Sequence, residues 1–250
     1  MNGVTKIGRF GIGQLQKLSL MNKHKEVLVA FIVLMLSLYV MVFFAPTSCM
    51  NFFAPIENRE LSFLEIAQVL LLLLTVRLAW IQLKKNIGKN IQISLLWLIL
   101  MVVLLVVVLE ETDYGLHYYD FLSGNASYYS NINGTFRNVH NQGNNNTLIK
   151  TIILIAQIIF FGVFPLFNRS FGKKVFNKKY AIYFWVITFA TLLLYTFYKN
   201  YFTTDIVNAL KISQLFAETR ELGYYLLLLV FISVFKQEFG SFHLSRSFDE

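Results

Sequence analysis

Six runs of apolar residues, at 27–45, 61–82, 93–111, 148–167, 180–198 and 219–235, alternate along the chain with polar connections. Each approaches the ~20 residues that an α-helix needs to cross the hydrocarbon core of a bilayer. The pattern predicts an all-α fold, a polytopic bundle of six transmembrane helices forming a single integral membrane domain over 1–250. The sixth run carries Glu218, Arg220 and Glu221 around its start, so five spans with a re-entrant last segment is the alternative. Between the runs, 46–60 is expected to be a short outer loop, and 83–92 and 168–179 are short and basic. Residues 1–26 are polar and basic with apolar positions spaced as in an amphipathic helix on the inner leaflet. The long exception is 112–147, rich in Asn, Gly, Ser and Tyr. A connection of that length points to function or disorder.

Composition agrees with the pattern: 56% of residues are hydrophobic and only 14% charged, against roughly 25% charged in soluble domains. Orientation follows from lysine and arginine. With the N-terminus inside, 16 of the 22 basic residues fall on the cytoplasmic side, which gives an N-in, C-in topology. The net charge of +8 then describes a cytoplasmic rim facing anionic lipid heads, and nucleic acid is excluded as a partner. The first run exceeds the roughly 7–15 residues of a signal-peptide core and is expected to remain as a span. Cys49 is the only cysteine, which rules out an internal disulfide and a multi-cysteine metal site.

Candidate chemistry collects where the third run ends. The stretch from Glu110 to Asp120 holds four acids, Glu110, Glu111, Asp113 and Asp120, together with His117, and ionisable groups at a membrane edge are a functional-site hypothesis by default. If the helix continued through this stretch, Glu110, Asp113, His117 and Asp120 would share one ~80° arc while Glu111 pointed elsewhere. Carboxylates and a neutral imidazole on adjacent turns suit a divalent metal such as zinc, manganese or iron, or an acid/base pair. Other acids gather on the same side: Ser62, Glu65 and Gln68 lie three apart at the start of the second run. Glu218 and Glu221, with Gln214 before and Tyr225 after, open the sixth. Arg137 and His140 stand in the long loop and are expected to fold over these acids. Arg59, Lys150 or Arg220 are the candidate counter-charges.

The outer segment resembles the signature of an uncharacterised bacterial multi-pass family with an E-E-x-S-W-G-Q element at the end of a span and a later N-x-H-N element. The matching positions here read Glu110-Glu111-Thr112-Asp113-Tyr114-Gly115-Leu116 and Asn138-Val139-His140-Asn141. Asp113, Tyr114 and Leu116 depart from the family's Ser, Trp and Gln. The resemblance implies a bacterial inner-membrane protein with a shared site at Glu110, Glu111 and His140, and implies no activity.

Three functions fit. The first is an outer-leaflet, metal-dependent hydrolase or transferase acting on a lipid or lipid-linked substrate. In it Glu110, Asp113, His117 and His140 hold the metal, Glu111 or Asp120 acts as base, and Arg137 stabilises developing negative charge. The second is a proton- or cation-coupled transport component, which requires polar groups across the membrane beyond Gln68, Thr75, Arg77, Gln157 and Thr191. The third is a non-catalytic membrane subunit or receptor.

Overall fold

The structure, a computed structural model, describes residues 4–53, 62–112, 118, 122–124, 151–152, 154–167, 178–201 and 206–246. Among the described residues there is no strand. The elements are α1 (Val4–Phe44), α2 (Pro46–Phe53), α3 (Phe63–Asn86), α4 (Ile91–Glu111), a π-helical segment Ile158–Val163 that runs into α5 (Phe164–Phe167), α6 (Lys178–Tyr201) and α7 (Ile206–Arg246). Four segments are long and apolar enough to cross a membrane: His24–Phe44, Phe63–Asn86, Ile91–Glu111 and Tyr180–Asn200. They coincide with the first, second, third and fifth apolar runs. Their outer faces bear exposed large side chains such as Leu34, Val33 and Leu193, 69%, 56% and 68% exposed. Continuous apolar surface on that scale belongs against lipid, and the chain has the build of an integral membrane protein.

The fourth run appears among the described residues as a shorter apolar helix, Leu154–Val163. The sixth lies inside α7, which is far longer than the apolar run because it extends on both sides of it. The connection at 46–60 is helical in its first half. Pro46 opens α2, where its fixed φ and missing N–H cost a helix nothing.

Local chemistry sets the helix boundaries. Ser62 caps α3, its side chain accepting from the Glu65 backbone N–H at 3.2 Å, and Ser62-x-x-Glu65 has the form of a capping box. Lys84 and Lys85 occupy the last turn of α3, where the helix dipole favours cations. Gly88 makes the reversal into α4 with φ of 79°, a conformation costly for any residue with a Cβ. Asn90 then caps α4 by accepting from Ile93 N–H at 3.0 Å. The hairpin of α3 and α4 is thus written into a few positions, and the two helices pack along each other.

The other helices are arranged around α7, which contacts α1, α2, α3 and α6. At ~100° per residue, Glu218, Glu221 and Tyr225 fall within about 60° on one side of α7, and Phe216, Arg220 and Tyr224 within about 80° on the other. The first side meets α3 and α4. The second meets α1 and α6: Tyr39 of α1 stacks on Phe216 with ring centroids 4.3 Å apart, and Tyr224 stacks on Phe184 of α6 at 5.1 Å. Two polar pairs lie in this second interface, Tyr39 Oη with Thr191 Oγ1 and Tyr224 Oη with Thr188 Oγ1, both at 2.8 Å. Each threonine donates its hydroxyl hydrogen to a carbonyl one turn back, so it accepts from the tyrosine in each pair.

Close approach depends on glycine at two points. A Cβ at Gly223 would stand 2.9 Å from Phe31 Cε1 and 3.1 Å from Ile187 Cγ2, so α7 touches α1 and α6 there through its backbone. Gly162, in the π-helical segment, abuts Phe184 and Trp185 of α6, and Trp185 Nε1 donates to its carbonyl at 3.3 Å. Gly223→Ala is expected to lower unfolding free energy by about 1–3 kcal/mol, the usual cost of overpacking. Denaturant titration of the purified protein in mild detergent measures it, with lipid-facing Leu193→Ala as the variant that should change little.

Candidate functional site

The N-terminal end of α3, the C-terminal end of α4 and the first half of α7 bring carboxylates together. On α3, Glu65 and Gln68 lie one turn apart, 8% and 0% exposed. Glu65 is the third residue of the helix, near the partial positive charge of its N-terminus. Gln68 reaches α7, its Nε2 donating to the Glu218 backbone carbonyl at 3.0 Å and to Glu218 Oε2 at 2.9 Å. Both amide hydrogens are thereby used. The orientation of the amide follows, since a flipped oxygen would face two acceptors. Gln68 Oε1 is buried and accepts no hydrogen bond among the described residues.

From α4, Glu111 joins the same region. Its Oε1 accepts from Tyr225 Oη of α7 at 2.8 Å. The Tyr225 hydroxyl also lies in the field of Glu221 and Glu65, so carboxylates of three helices surround one phenol. Glu110 is half-buried beside Glu111 at the end of α4. Thr112, with its hydroxyl donating to Val108 O at 2.8 Å, closes the helix. The expected continuation of the helix to Asp120 is therefore interrupted: α4 ends at Glu111, and the shared arc does not extend from Glu110 along this helix. Asp113, His117, Asp120, Arg137 and His140 lie outside the described residues.

Tyr118 is the described residue of that loop nearest the acids. Burial first, and then the charge of Glu65, hold its phenol above the ordinary tyrosine value. Tyr118 thus lies within the electrostatic reach of Glu65 near the start of α3.

Arg220 does not sit among the acids. It acts on Tyr39 and Tyr224, on the side of α7 that faces α1 and α6, and its buried Nε has no hydrogen-bond partner among the described residues. The spacing explains this: two residues from Glu218 places Arg220 about 200° round the helix. Glu218 and Glu221 are three apart and share a face, with Gln68 as the uncharged partner of Glu218.

Comparison of the chain with protein-family models, curated proteins and solved structures finds no match. The chemistry must be read from the residues. Among the described residues, no three His, Cys, Asp or Glu side chains gather closely enough to hold a metal ion. Of the four expected ligands, only Glu110 is described. The described arrangement is a hydrogen-bonded one, in which Tyr225 serves Glu111 and Gln68 serves Glu218. Such a set can exchange protons or bind a cation at the helix interfaces.

Sequence spacing pointed to Glu65, Gln68, Glu218 and Glu221. It did not single out Tyr225 as the donor to Glu111, because an aromatic next to an apolar run reads as packing.

Removing the Tyr225 hydroxyl tests the central bond. A hydrogen bond to a charged group is worth about 1.5–3 kcal/mol in soluble proteins, while interhelical bonds in membranes average about 0.6 kcal/mol. Tyr225→Phe is therefore expected to cost roughly 1–2 kcal/mol. With Glu111→Gln in a double-mutant cycle, the losses should be less than additive if the two groups act as a pair. Glu65→Gln, by removing negative charge, should bring the Tyr118 phenol down towards the ordinary value near 10 without reaching it, since burial persists. Tyrosine Cζ chemical shifts across a pH series, with Tyr118→Phe for assignment, report that movement.

Proposed function

We propose that this chain is a proton- or cation-coupled transport component of the bacterial inner membrane, with both termini in the cytoplasm and an acidic centre towards the outer face. The observation that carries the reading is the convergence of Glu65, Glu111 and Glu221 on the Tyr225 hydroxyl, with Gln68 bridging to Glu218. Carboxylates drawn from three helices into one protein interface are expensive to place unless they are used. Gln68 and Tyr225, which bond Glu218 and Glu111, are neutral and reorientable, which suits reversible binding of a small positive charge. The topology draws support from the basic turns at one end of the helices, Lys84 and Lys85 finishing α3 and Lys178 and Lys179 opening α6. The acids Glu65 and Glu111 stand at the other end of the α3–α4 hairpin.

A second reading, a metal-dependent hydrolase or transferase acting on a lipid or lipid-linked substrate, is favoured by one feature. Helix α4 delivers Glu110 and Glu111 at the point where the 112–147 loop begins. That loop carries Asp113, His117, Asp120, Arg137 and His140, and a zinc, manganese or iron ion held between helix end and loop would suit those side chains. The resemblance to the bacterial E-E-x-S-W-G-Q family belongs to this reading as well.

Two measurements separate the readings. For the first, thermal unfolding of detergent-purified protein is followed against pH and against Na⁺, K⁺, Mg²⁺, Mn²⁺ and Zn²⁺. A ligand at 100 times its Kd stabilises by about 2.7 kcal/mol. Stabilisation of that order, or a pH dependence, abolished in Glu65→Gln and Glu218→Gln, is expected; insensitivity of the wild type to every cation and to pH counts against the centre as a binding site. For the second, elemental analysis of protein prepared without chelator compares wild type with Glu110→Ala and His140→Ala. A near-stoichiometric transition metal lost in both would favour the enzyme.

A further inference from the structure

The buried face of α3 carries polar side chains at intervals along its length. Gln68, Thr75 and Gln82 stand seven residues apart, a spacing that keeps them in one stripe along a helix. Their exposures are 0%, 0% and 6%. From Glu65 to Gln82 the helix rises about 25 Å at ~1.5 Å per residue, most of the ~30 Å hydrocarbon core. The faces of α3 turned to lipid carry Leu70, Leu73 and Leu74. Arg77 is exposed on that same side, while Glu65, Gln68, Thr75 and Gln82 are buried on the side on which α4 and α7 pack.

The hydrogen-bonding state of the stripe shows what complements it. At the outer end, Gln68 Oε1 is a buried acceptor with no partner; towards the inner end, Gln82 Nε2 is a buried donor with none. Between them Thr75 Oγ1 gives its hydrogen to the Leu71 carbonyl at 2.7 Å, which leaves its oxygen able to accept. Burying an amide group without a partner costs about 1–3 kcal/mol on mutational scales. One species supplies a donor to Gln68, a donor to Thr75 and an acceptor to Gln82, and that species is water.

We infer that a file of water molecules runs along this stripe of α3, joining the acidic centre to the Lys84 and Lys85 end of the helix, and that it is the route for protons or small hydrated cations. The inference rests on the proton- or cation-binding reading of the centre. Leu72 and Ala79 are the members of the stripe that offer water no partner. Both are packed in the core, and Leu72, one turn in from Gln68, carries the bulkier side chain and is the narrow point.

Cysteine accessibility in lipid vesicles tests the file. A methanethiosulfonate reagent attacks the thiolate, which forms where water reaches the sulfur, whereas structurally buried thiols are inert. Cys49, 3% exposed and with burial pushing its thiol pKa up, is replaced by alanine to clear the background. In that background, Thr75→Cys and Ala79→Cys are expected to react at least about tenfold faster than Leu74→Cys, which faces lipid, and Ile187→Cys, which lies in the packed core on the far side of α7. Thr75→Cys is close to isosteric and carries the test alone if Ala79→Cys does not fold. Equal, slow reaction at Thr75→Cys, Leu74→Cys and Ile187→Cys overturns the inference. An inert stripe in protein that cations or pH stabilise through Glu218 would remove the route and leave the binding centre standing. A reactive stripe in protein indifferent to cations and pH would do the reverse.

Discussion

Glu218, Arg220 and Glu221 place three charged side chains within four positions of α7, and covering them is the constraint on which the bundle depends. Translocon scales put the cost of a charged residue at a span's centre at about 2.5–3.5 kcal/mol. A helix with this sequence is therefore unsuited to bare lipid. The solution is to surround it. The acidic side is closed by α3 and α4, which supply Gln68 as a donor to Glu218 and Glu111 as an acceptor for Tyr225. The Arg220 side is closed by α1 and α6, which supply Tyr39, Thr188 and Thr191. The α3–α4 hairpin and the α1–α6 pair are held in one bundle because α7 has a polar requirement on each face.

The bonds alone do not hold such a bundle. Interhelical hydrogen bonds in membranes average about 0.6 kcal/mol, so the five that flank α7 among the described residues amount to about 3 kcal/mol. Lipid also supplies no hydrophobic drive between apolar helices. What remains is dispersion at close contact, and the chain uses glycine to obtain it. Gly223 lets Phe31 and Ile187 rest on the backbone of α7, and Gly162 does the same for Phe184 and Trp185. The hydrogen bonds then select which faces meet, while the packing supplies most of the attraction. This division explains why Tyr39 is both stacked on Phe216 and bonded to Thr191.

The long apolar runs were legible because a bilayer imposes a length that no local preference overrides, and the four helices able to cross a membrane fall where those runs do. The grouping of Glu65 with Gln68, and of Glu218 with Glu221, was legible for a related reason: spacings of three fix a shared face whatever the tertiary context. Partners across helices were not legible. Arg220 reads in sequence as a neutraliser of the neighbouring acids, yet rotation by one further residue on either side of a helix changes which neighbour it meets. Thr188 and Thr191 sit in an apolar run as ordinary weak breaks. Only the position of α1 and α7 against α6 gives them tyrosines to bond. Helix ends were read less well than helix centres: an arc drawn from Glu110 to Asp120 assumes a regularity that the cap at Thr112 breaks.

That cap changes the chemical argument as well. If α4 had continued, its acids would have formed a column with Glu111 turned away from it. The helix stops at Glu111, whose carboxylate accepts from Tyr225 on α7. The Tyr118 phenol is held up first by burial and then by the charge of Glu65, which lies on α3 rather than α4. A loop residue and a helix residue separated by more than fifty positions thus share one electrostatic environment. The charge state of Glu65 is felt by the loop above it and by Tyr225 below it. A change in the charge of Glu65 therefore reaches both phenols, Tyr118 and Tyr225.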